Sequence, residues 1–256
     1  RPHEARHGMK LALLAVGLLA AHARGGDFPI GLYGVSASDP LETISAAGFT
    51  HILPASKLPA EQVSLAQAAR RHGLSVIGFP QSMMALPPGA FKASAWYLSD
   101  EPDVNNESPE EISRQAAEVR AWDPRTPLVL VVGAGSRAGD YAGDVDAVMV
   151  DWYPVPHLPL ASAGDEVAVA VADVPAKPVW AVLQAMDWRD YPQRDPKKPR
   201  IGRFPTRREL RFMAYHALVR GASGIFFFKL PQHGKPGSTL LDTPEHWQAL
   251  QDVSRE

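Results

Sequence analysis

Eight short apolar runs, separated by segments of helical period, constrain this chain more than any other feature. They are PIGLYGV (29–35), THILPA (50–55), LSVIGFP (74–80), AWYLSDE (95–101), PLVLVVG (127–133), AVMVDWY (147–153), PVWAVLQ (178–184) and GIFFFKL (224–230). Most are continuously apolar rather than alternating, which is the pattern of strands covered on both faces. Strands that alternate with helices call for parallel pairing through crossovers. Eight such units in about 230 residues predict an α/β fold, a (β/α)8 TIM barrel, over residues 24–256 as one domain. An open doubly wound sheet with a nucleotide site lacks its fingerprint, because no G-x-G-x-x-G follows the first run and no phosphate-loop motif is present.

The helices carry readable punctuation. Asp39-Pro40 followed by Glu42 starts one, Gly48 stops it, and Gly73 performs the same stop before the third run. SPEE at 108–111 and TRRE at 206–209 read as capping boxes. Behind them, Ile112, Ala116 and Val119, and then Leu210, Met213, Ala214, Ala217 and Leu218, mark buried faces that end at Gly221. Segments 81–94 and 136–145 are weaker and read as loops with a helical turn. The longest irregular stretch is 188–205.

Ahead of the barrel, Met9-Lys10 precedes the apolar run LALLAVGLLA and the small-x-small sequence Ala21-His22-Ala23. This is the pattern of a secretory signal peptide, too short to span a bilayer as a stable helix. Residues 1–23 are therefore set apart as upstream residues and signal peptide, with translation starting at Met9 and the mature chain near Arg24. Gly25-Gly26 argues against a buried N-terminal helix. The expected location is secreted or periplasmic, with no membrane association after cleavage.

There is no cysteine, so disulfides, thiolate metal sites and a cysteine nucleophile are excluded. A formal charge of −2 gives no global attraction to nucleic acid or an anionic membrane. His51, His157, His216, His233 and His246 fall in separate elements without ligand spacing, so neither metal nor cofactor is expected. His216 reads as a helix-packing residue. No serine stands in a nucleophile elbow.

In such a barrel the active site lies at the carboxyl ends of the strands. The residues that fall there are Tyr33, Gln81, Asp100, Glu101, Asp151, Tyr153, Gln184, Asp187 and Lys229. Carboxylates, an amide, tyrosines and the tryptophans Trp152 and Trp188, with Trp96 as a third, are the equipment of a carbohydrate site. Aromatic faces stack on sugar C–H faces, and two carboxyls supply an acid and a base or nucleophile for glycosidic cleavage. Like charges in proximity raise one pKa and keep one carboxyl protonated.

At this point the chain resembles a family. YLSDEP is similar to the Asn-Glu-Pro strand-four signature of the large retaining glycoside hydrolase clan, with Asp100 at the asparagine position and Glu101 at the acid/base. DEPD, DAVMVDWYPVP, PVWAVLQAMDW and ELRFMAYHALVRGASGIFFF are similar to bacterial secreted glycoside-hydrolase-like barrels. The resemblance spans 28–230 and implies that Glu101 protonates the leaving oxygen while Asp100 holds a sugar hydroxyl. One departure matters. The clan's nucleophile is a glutamate ending strand seven, and here Gln184 stands in that place, where an amide forms no glycosyl ester. Three readings remain: Asp151 acts as nucleophile or base, Asp187 does so, or the barrel binds sugar without cutting it. Asp151 is favoured because it ends a strongly apolar strand, where an unused acid is costly.

The plainer readings stand beside these. Asp103, before Asn105-Asn106, reads as a turn former; Asp100 and Glu101 have a structural ion pair as the competing role. Asp151 has simple pairing with Tyr153 or Lys229, and Lys229 is either a counter-ion or a substrate contact. The run Arg189, Arg194, Lys197, Lys198, Arg200, Arg203, Arg207, Arg208 and Arg211 reads chiefly as a solvated face, and otherwise as an attraction for an acidic polysaccharide. It offers no groove-reading helix or stacking module for nucleic acid.

Overall fold

The computed structural model describes residues 28–87, 89–191, 201–231 and 238–256. The expected signal segment 1–23 lies outside these residues, as do Arg194, Lys197, Lys198 and Arg200 of the basic run, and His233.

All eight apolar runs form strands: β1 (Ile30–Val35), β2 (His51–Pro54), β3 (Ser75–Gly78), β4 (Ala95–Asp100), β5 (Leu128–Val132), β6 (Ala147–Trp152), β7 (Val179–Gln184) and β8 (Ile225–Phe228). Each pairs in parallel with its sequence neighbour, and β1 also pairs with β8, closing the barrel. The helices are α1 (Leu41–Ala46), α2 (Pro59–Arg70), α3 (Pro80–Met83), α4 (Pro102–Asn105), α5 (Pro109–Trp122), α6 (Ala138–Tyr141), α7 (Ser162–Asp173), α8 (Arg207–Val219) and α9 (Pro244–Arg255). The crossovers over 81–94 and 136–145 hold only the short turns α3 and α6. None of the helices is long and apolar enough to cross a membrane, among the described residues.

The local chemistry follows the sequence closely. Gly48, Gly73 and Gly221 take φ of 98°, 69° and 103°, the left-handed region that glycine enters without a Cβ clash, and each ends a helix. At α8, Thr206 Oγ1 accepts the Glu209 N–H at 3.3 Å, and Glu209 Oε2 accepts the Thr206 N–H at 2.8 Å, completing the expected box. At α5 only half of it forms. Ser108 Oγ accepts the Glu111 N–H at 3.2 Å, but the Glu111 carboxylate turns to the Arg114 guanidinium instead of returning to the cap. Ile112, Ala116 and Val119 are buried as the period requires, and so are Leu210, Met213, Ala214 and Ala217; Leu218 turns outward and is 38% exposed.

Two apolar layers result from the alternation of side chains along each strand. Inside the barrel stand Leu53, Ile77, Tyr97, Val129, Met149, Val182 and Phe226. Between strands and helices lie Leu32, Ile52, Trp96, Leu98, Leu130, Val148 and Leu183, together with the inner faces of α5, α7 and α8. Each large side chain so buried contributes about 1.5–3 kcal/mol. A barrel packed solid in this way leaves polar groups room only at its mouth.

Candidate active site

Strand alternation brings the first carboxyl to that mouth. Along β6, Ala147 and Met149 face the barrel interior, and Asp151 and Tyr153 continue the same face upward to line a cavity of about 220 Å3. The second comes from β4, where the pairing with β5 is irregular between Tyr97 and Asp100, so that Tyr97, Asp100 and Glu101 all reach this cavity. Glu101 has φ 49°, a left-handed conformation that costs a non-glycine residue roughly 1–3 kcal/mol and is held only where its surroundings fix it. Here they do. The Glu101 N–H donates to Val131 O at 3.0 Å, and its own carbonyl accepts from Val104 and Asn105 at 3.0 and 2.9 Å. Asp103, in α4, accepts from the Gly133 and Ala134 N–H groups at 3.0 Å each, tying the end of β4 to the end of β5. Gly133 is required to be bare at this junction, since a Cβ there would lie 2.7 Å from Val104 Cγ2 and 3.4 Å from Glu101 Oε1.

The Glu101 and Asp151 carboxyls lie within hydrogen-bonding reach of each other. Burial pushes the half-buried Glu101 above the usual carboxylate range, with Asp100 and Asp103 adding to the rise and the contact with Asp151 opposing it. Asp151, only 8% exposed, is pushed much further up by burial and then by the Glu101 charge, with the Tyr153 hydroxyl opposing. Burial and mutual repulsion therefore oppose ionising both carboxyls at once, and the two titrate as a pair. Asp151 Oδ1 is met by no N–H or O–H group of the protein.

Aromatic rings make the walls. Tyr33 meets Tyr97 edge-on at 6.2 Å between centroids, Tyr153 stacks on Phe228 at 5.4 Å, and Trp188 packs between Tyr153 and Tyr191. Burial raises the Tyr33, Tyr97 and Tyr153 hydroxyls well above their ordinary value, so they remain O–H donors. Tyr97 donates to Asp100 in a short hydrogen bond. Asp100 and Tyr97 also wall a second, polar cleft, about 330 Å3, whose lining includes Gln81, Ser99 and Glu107.

Of the residues expected at the site, Tyr33, Asp100, Glu101, Asp151, Tyr153 and Trp188 line the cavity. Gln81 lies in the neighbouring cleft, donating to Leu98 O at 2.7 Å. Trp152 alternates outward, where its indole N–H donates to Ser162 at the start of α7. Trp96 points outward as well and is fully buried beside Phe91 and Trp122. Gln184 is fully buried and engaged with backbone: Oε1 accepts from Val155 N at 2.8 Å, and Nε2 donates to Val155 O at 2.8 Å and Met186 O at 3.2 Å. Asp187 caps the following turn, with Oδ1 2.8 Å from Arg189 N and Oδ2 2.9 Å from Arg189 Nε. Lys229 places Nζ 5.2 Å from the Tyr191 ring and 5.3 Å from Phe228, and burial lowers its pKa.

Tyr97, Met186, Tyr191 and Phe228 line the cavity without having been singled out from the sequence. Tyr97 and Phe228 were within reach of it, since each lies two positions along the inward face from a barrel-lining residue. The basic run is largely self-neutralised among the described residues. Arg189 pairs with Asp187, Arg203 with Glu209, Arg207 with Asp252, and Arg211 with Glu256. No group of three or more histidine or acidic side chains stands close enough to hold a metal, among the described residues.

The architecture is that of a (β/α)8 barrel with a carboxyl pair at the carboxyl ends of its strands. No protein-family model matches the chain, and no curated protein matches its sequence. Similar solved structures include a β-galactosidase from the Antarctic haloarchaeon Halorubrum lacusprofundi, with a TM-score of 0.63 and 12% identity over 89% of this chain and 57% of that one. Another is an exo-β-1,4-mannosidase from Opitutaceae bacterium strain TAV5, at 0.60 and 13% over 89% and 59%. A thermostable mutant of a xylanase from Cellvibrio japonicus gives 0.55 and 14% over 90% and 98%. The chain thus spans less than two thirds of the galactosidase and the mannosidase. At these identities the likeness is one of fold.

Proposed function

We propose that the protein is a glycoside hydrolase acting on a polysaccharide or oligosaccharide, with Glu101 and Asp151 as its catalytic carboxyls. The observation that carries this reading is the contact between two carboxyls of raised pKa at the floor of an aromatic-walled cavity on the catalytic face of the barrel. Glycosidic cleavage needs one carboxyl protonated and one ionised, and a pair sharing a proton is in that state. An inverting enzyme separates its carboxyls by about 6.5–9.5 Å to admit a water, which groups in contact do not. A retaining enzyme sets its carboxyls about 5–5.5 Å apart, so substrate must part the pair before Asp151 can act as nucleophile. Glu101, the more open, protonates the leaving oxygen with the proton that the pair retains, and the ionised Asp151 attacks the anomeric carbon. Asp100, Tyr33, Tyr153 and Trp188 hold the sugar. A cavity below the about 300 Å3 of typical ligand pockets admits one ring at the cleavage point.

Hydrolysis of a panel of aryl glycosides and oligosaccharides tests the reading. Glu101→Gln and Asp151→Asn should each lower the rate about 10²–10⁴-fold. If Asp187→Asn alone abolished activity, the second carboxyl would be misassigned. A second reading, a barrel that binds carbohydrate without cutting it, is favoured by Gln184, which leaves β7 without a carboxylate at its end. Binding of glycans with no product release by the wild type would establish it. The N-terminal pattern adds export to the secreted or periplasmic space, and a mature N-terminus far from Arg24 would count against that.

A further inference from the structure

We propose that the polar cleft beside the cavity is a leaving-group subsite, taking the sugar released on the Glu101 side of the broken bond as a neutral ring held through its hydroxyls. This rests on the glycosidase reading and names what binds next to the cleavage point. Tyr97 and Asp100 line both spaces, so a chain with one ring over the carboxyl pair passes directly from one to the other. At about 330 Å3 the cleft is larger than the cavity it adjoins and holds a further ring. The aromatic wall is continuous as well, since Phe79 in the cleft meets Tyr97 edge-on at 5.5 Å between centroids.

The position of the cleft on the barrel sets the side. Its outer wall, with Lys57, Phe79 and Gln81, comes from the segments that follow β2 and β3, on the side of β4 away from β6. Asp151 ends β6 and Glu101 follows β4. The bond that breaks runs from the anomeric carbon, at Asp151, to the oxygen that Glu101 protonates, and the same direction continued past Glu101 leads into the cleft. The lining selects the ligand. Lys57 Nζ lies 5.2 Å from the Phe79 centroid and, among the described residues, has no hydrogen bond or carboxylate partner. Gln81 commits Nε2 to Leu98 O, and its Oε1 receives no hydrogen bond from the described residues. Glu107 accepts from Ser99 through Oε1 alone. Donors and acceptors thus stand side by side, as a ring of hydroxyls requires, because each hydroxyl both donates and accepts. An anionic ligand would meet Asp100 and Glu107, and a cationic one would meet Lys57.

The test uses the full chain and three probes for each of glucose, galactose, mannose and xylose, in both anomeric series. The first is the 4-nitrophenyl monoglycoside. The second is the 4-nitrophenyl glycoside of the 1,4-linked disaccharide, cleaved at the aryl bond, which extends the chain away from the leaving group. The third is the 1,4-linked tetrasaccharide, whose leaving group is a sugar. In whichever series is cleaved, Lys57→Met and Gln81→Met should each lower kcat/KM for the tetrasaccharide about tenfold relative to both nitrophenyl probes. Lys57→Arg, which keeps a donor, should retain part of that factor. Lys57 is exposed, and its ammonium meets only the Phe79 ring among the described residues, so the methionine variant keeps its fold. A relative loss shared by the disaccharide glycoside would place the cleft on the other side of the bond and overturn the inference. Equal losses on all three probes, or none, would overturn it too. No product from any probe with the wild type would instead sink the glycosidase reading and this subsite with it, a result distinct from an active enzyme whose variants respond alike.

Discussion

Gln184 and Val155 are joined by two hydrogen bonds of 2.8 Å, one donated by the Val155 N–H and one by the glutamine amide. Only a side chain with both an acceptor and a donor can engage the N–H and the C=O of one residue in this way. At the end of β7 the glutamine therefore clasps the loop that follows β6.

This makes a defined prediction for the substitution that would install the missing glutamate. Gln184→Glu removes the donor to Val155 O and Met186 O and sets a carboxylate against two carbonyls in a fully buried position. A loss of about 2–4 kcal/mol in unfolding free energy is expected, measured by urea denaturation. No gain of hydrolysis should accompany it, because Gln184 does not line the cavity. A glutamate variant that was both stable and more active would show that this position belongs to the site.

The barrel was legible because its strands are continuous apolar runs, a signal that needs no knowledge of partners, and the strand-end rule directed attention to Glu101 and Asp151. Other placements depended on information the sequence lacks. Trp152 sits beside Asp151 in sequence, but a period of two sends it to Ser162 on the opposite face. Asp187 and Gln184 look like site residues until their partners Arg189 and Val155 are known, and those contacts are set by how loops return to the barrel. Tyr97 follows the period of two from Ala95, whereas the irregular pairing between Tyr97 and Asp100 brings Asp100 and Glu101 to the same mouth against that period. Asp103 has the sequence setting of a turn former, yet its carboxylate anchors the N–H groups of Gly133 and Ala134, about thirty residues away along the chain.

That anchoring gives the next prediction. Asp103→Asn keeps one acceptor oxygen and puts an NH2 group against the other backbone N–H. A loss of about 1–3 kcal/mol is expected by urea denaturation. If the positioning of Glu101 depends on this tie, kcat should fall with little change in KM once a hydrolysed substrate is in hand. A change confined to stability would show that Val131 and the α4 turn hold Glu101 unaided.

Trp188 gives a different kinetic signature. Its indole N–H donates to Tyr153 O at 3.2 Å, and its ring forms part of the cavity wall. Trp188→Ala should raise KM for a sugar substrate by about tenfold or more, the worth of one stacked aromatic face, with a smaller effect on kcat. A collapse of kcat at unchanged KM would mean that the tryptophan orders the catalytic pair rather than the substrate.

The last prediction concerns pH and follows from the raised pKa of Asp151. In the unfolded chain an aspartate titrates near 3.9, whereas the folded protein holds its proton to higher pH. Between those two values the native state binds the proton and the unfolded state does not. The sign of the linkage is therefore negative, and this group lowers stability progressively as pH rises from about 4 to its folded pKa, with no further change above it. Asp151→Asn has no such proton to lose. The stability of the asparagine variant relative to wild type should grow with pH across this window and then level off. Urea unfolding of both proteins at half-unit steps from pH 4 to 8 would show it. Parallel curves would mean that Asp151 titrates normally, and the shared proton on which the catalytic assignment rests would have to be abandoned.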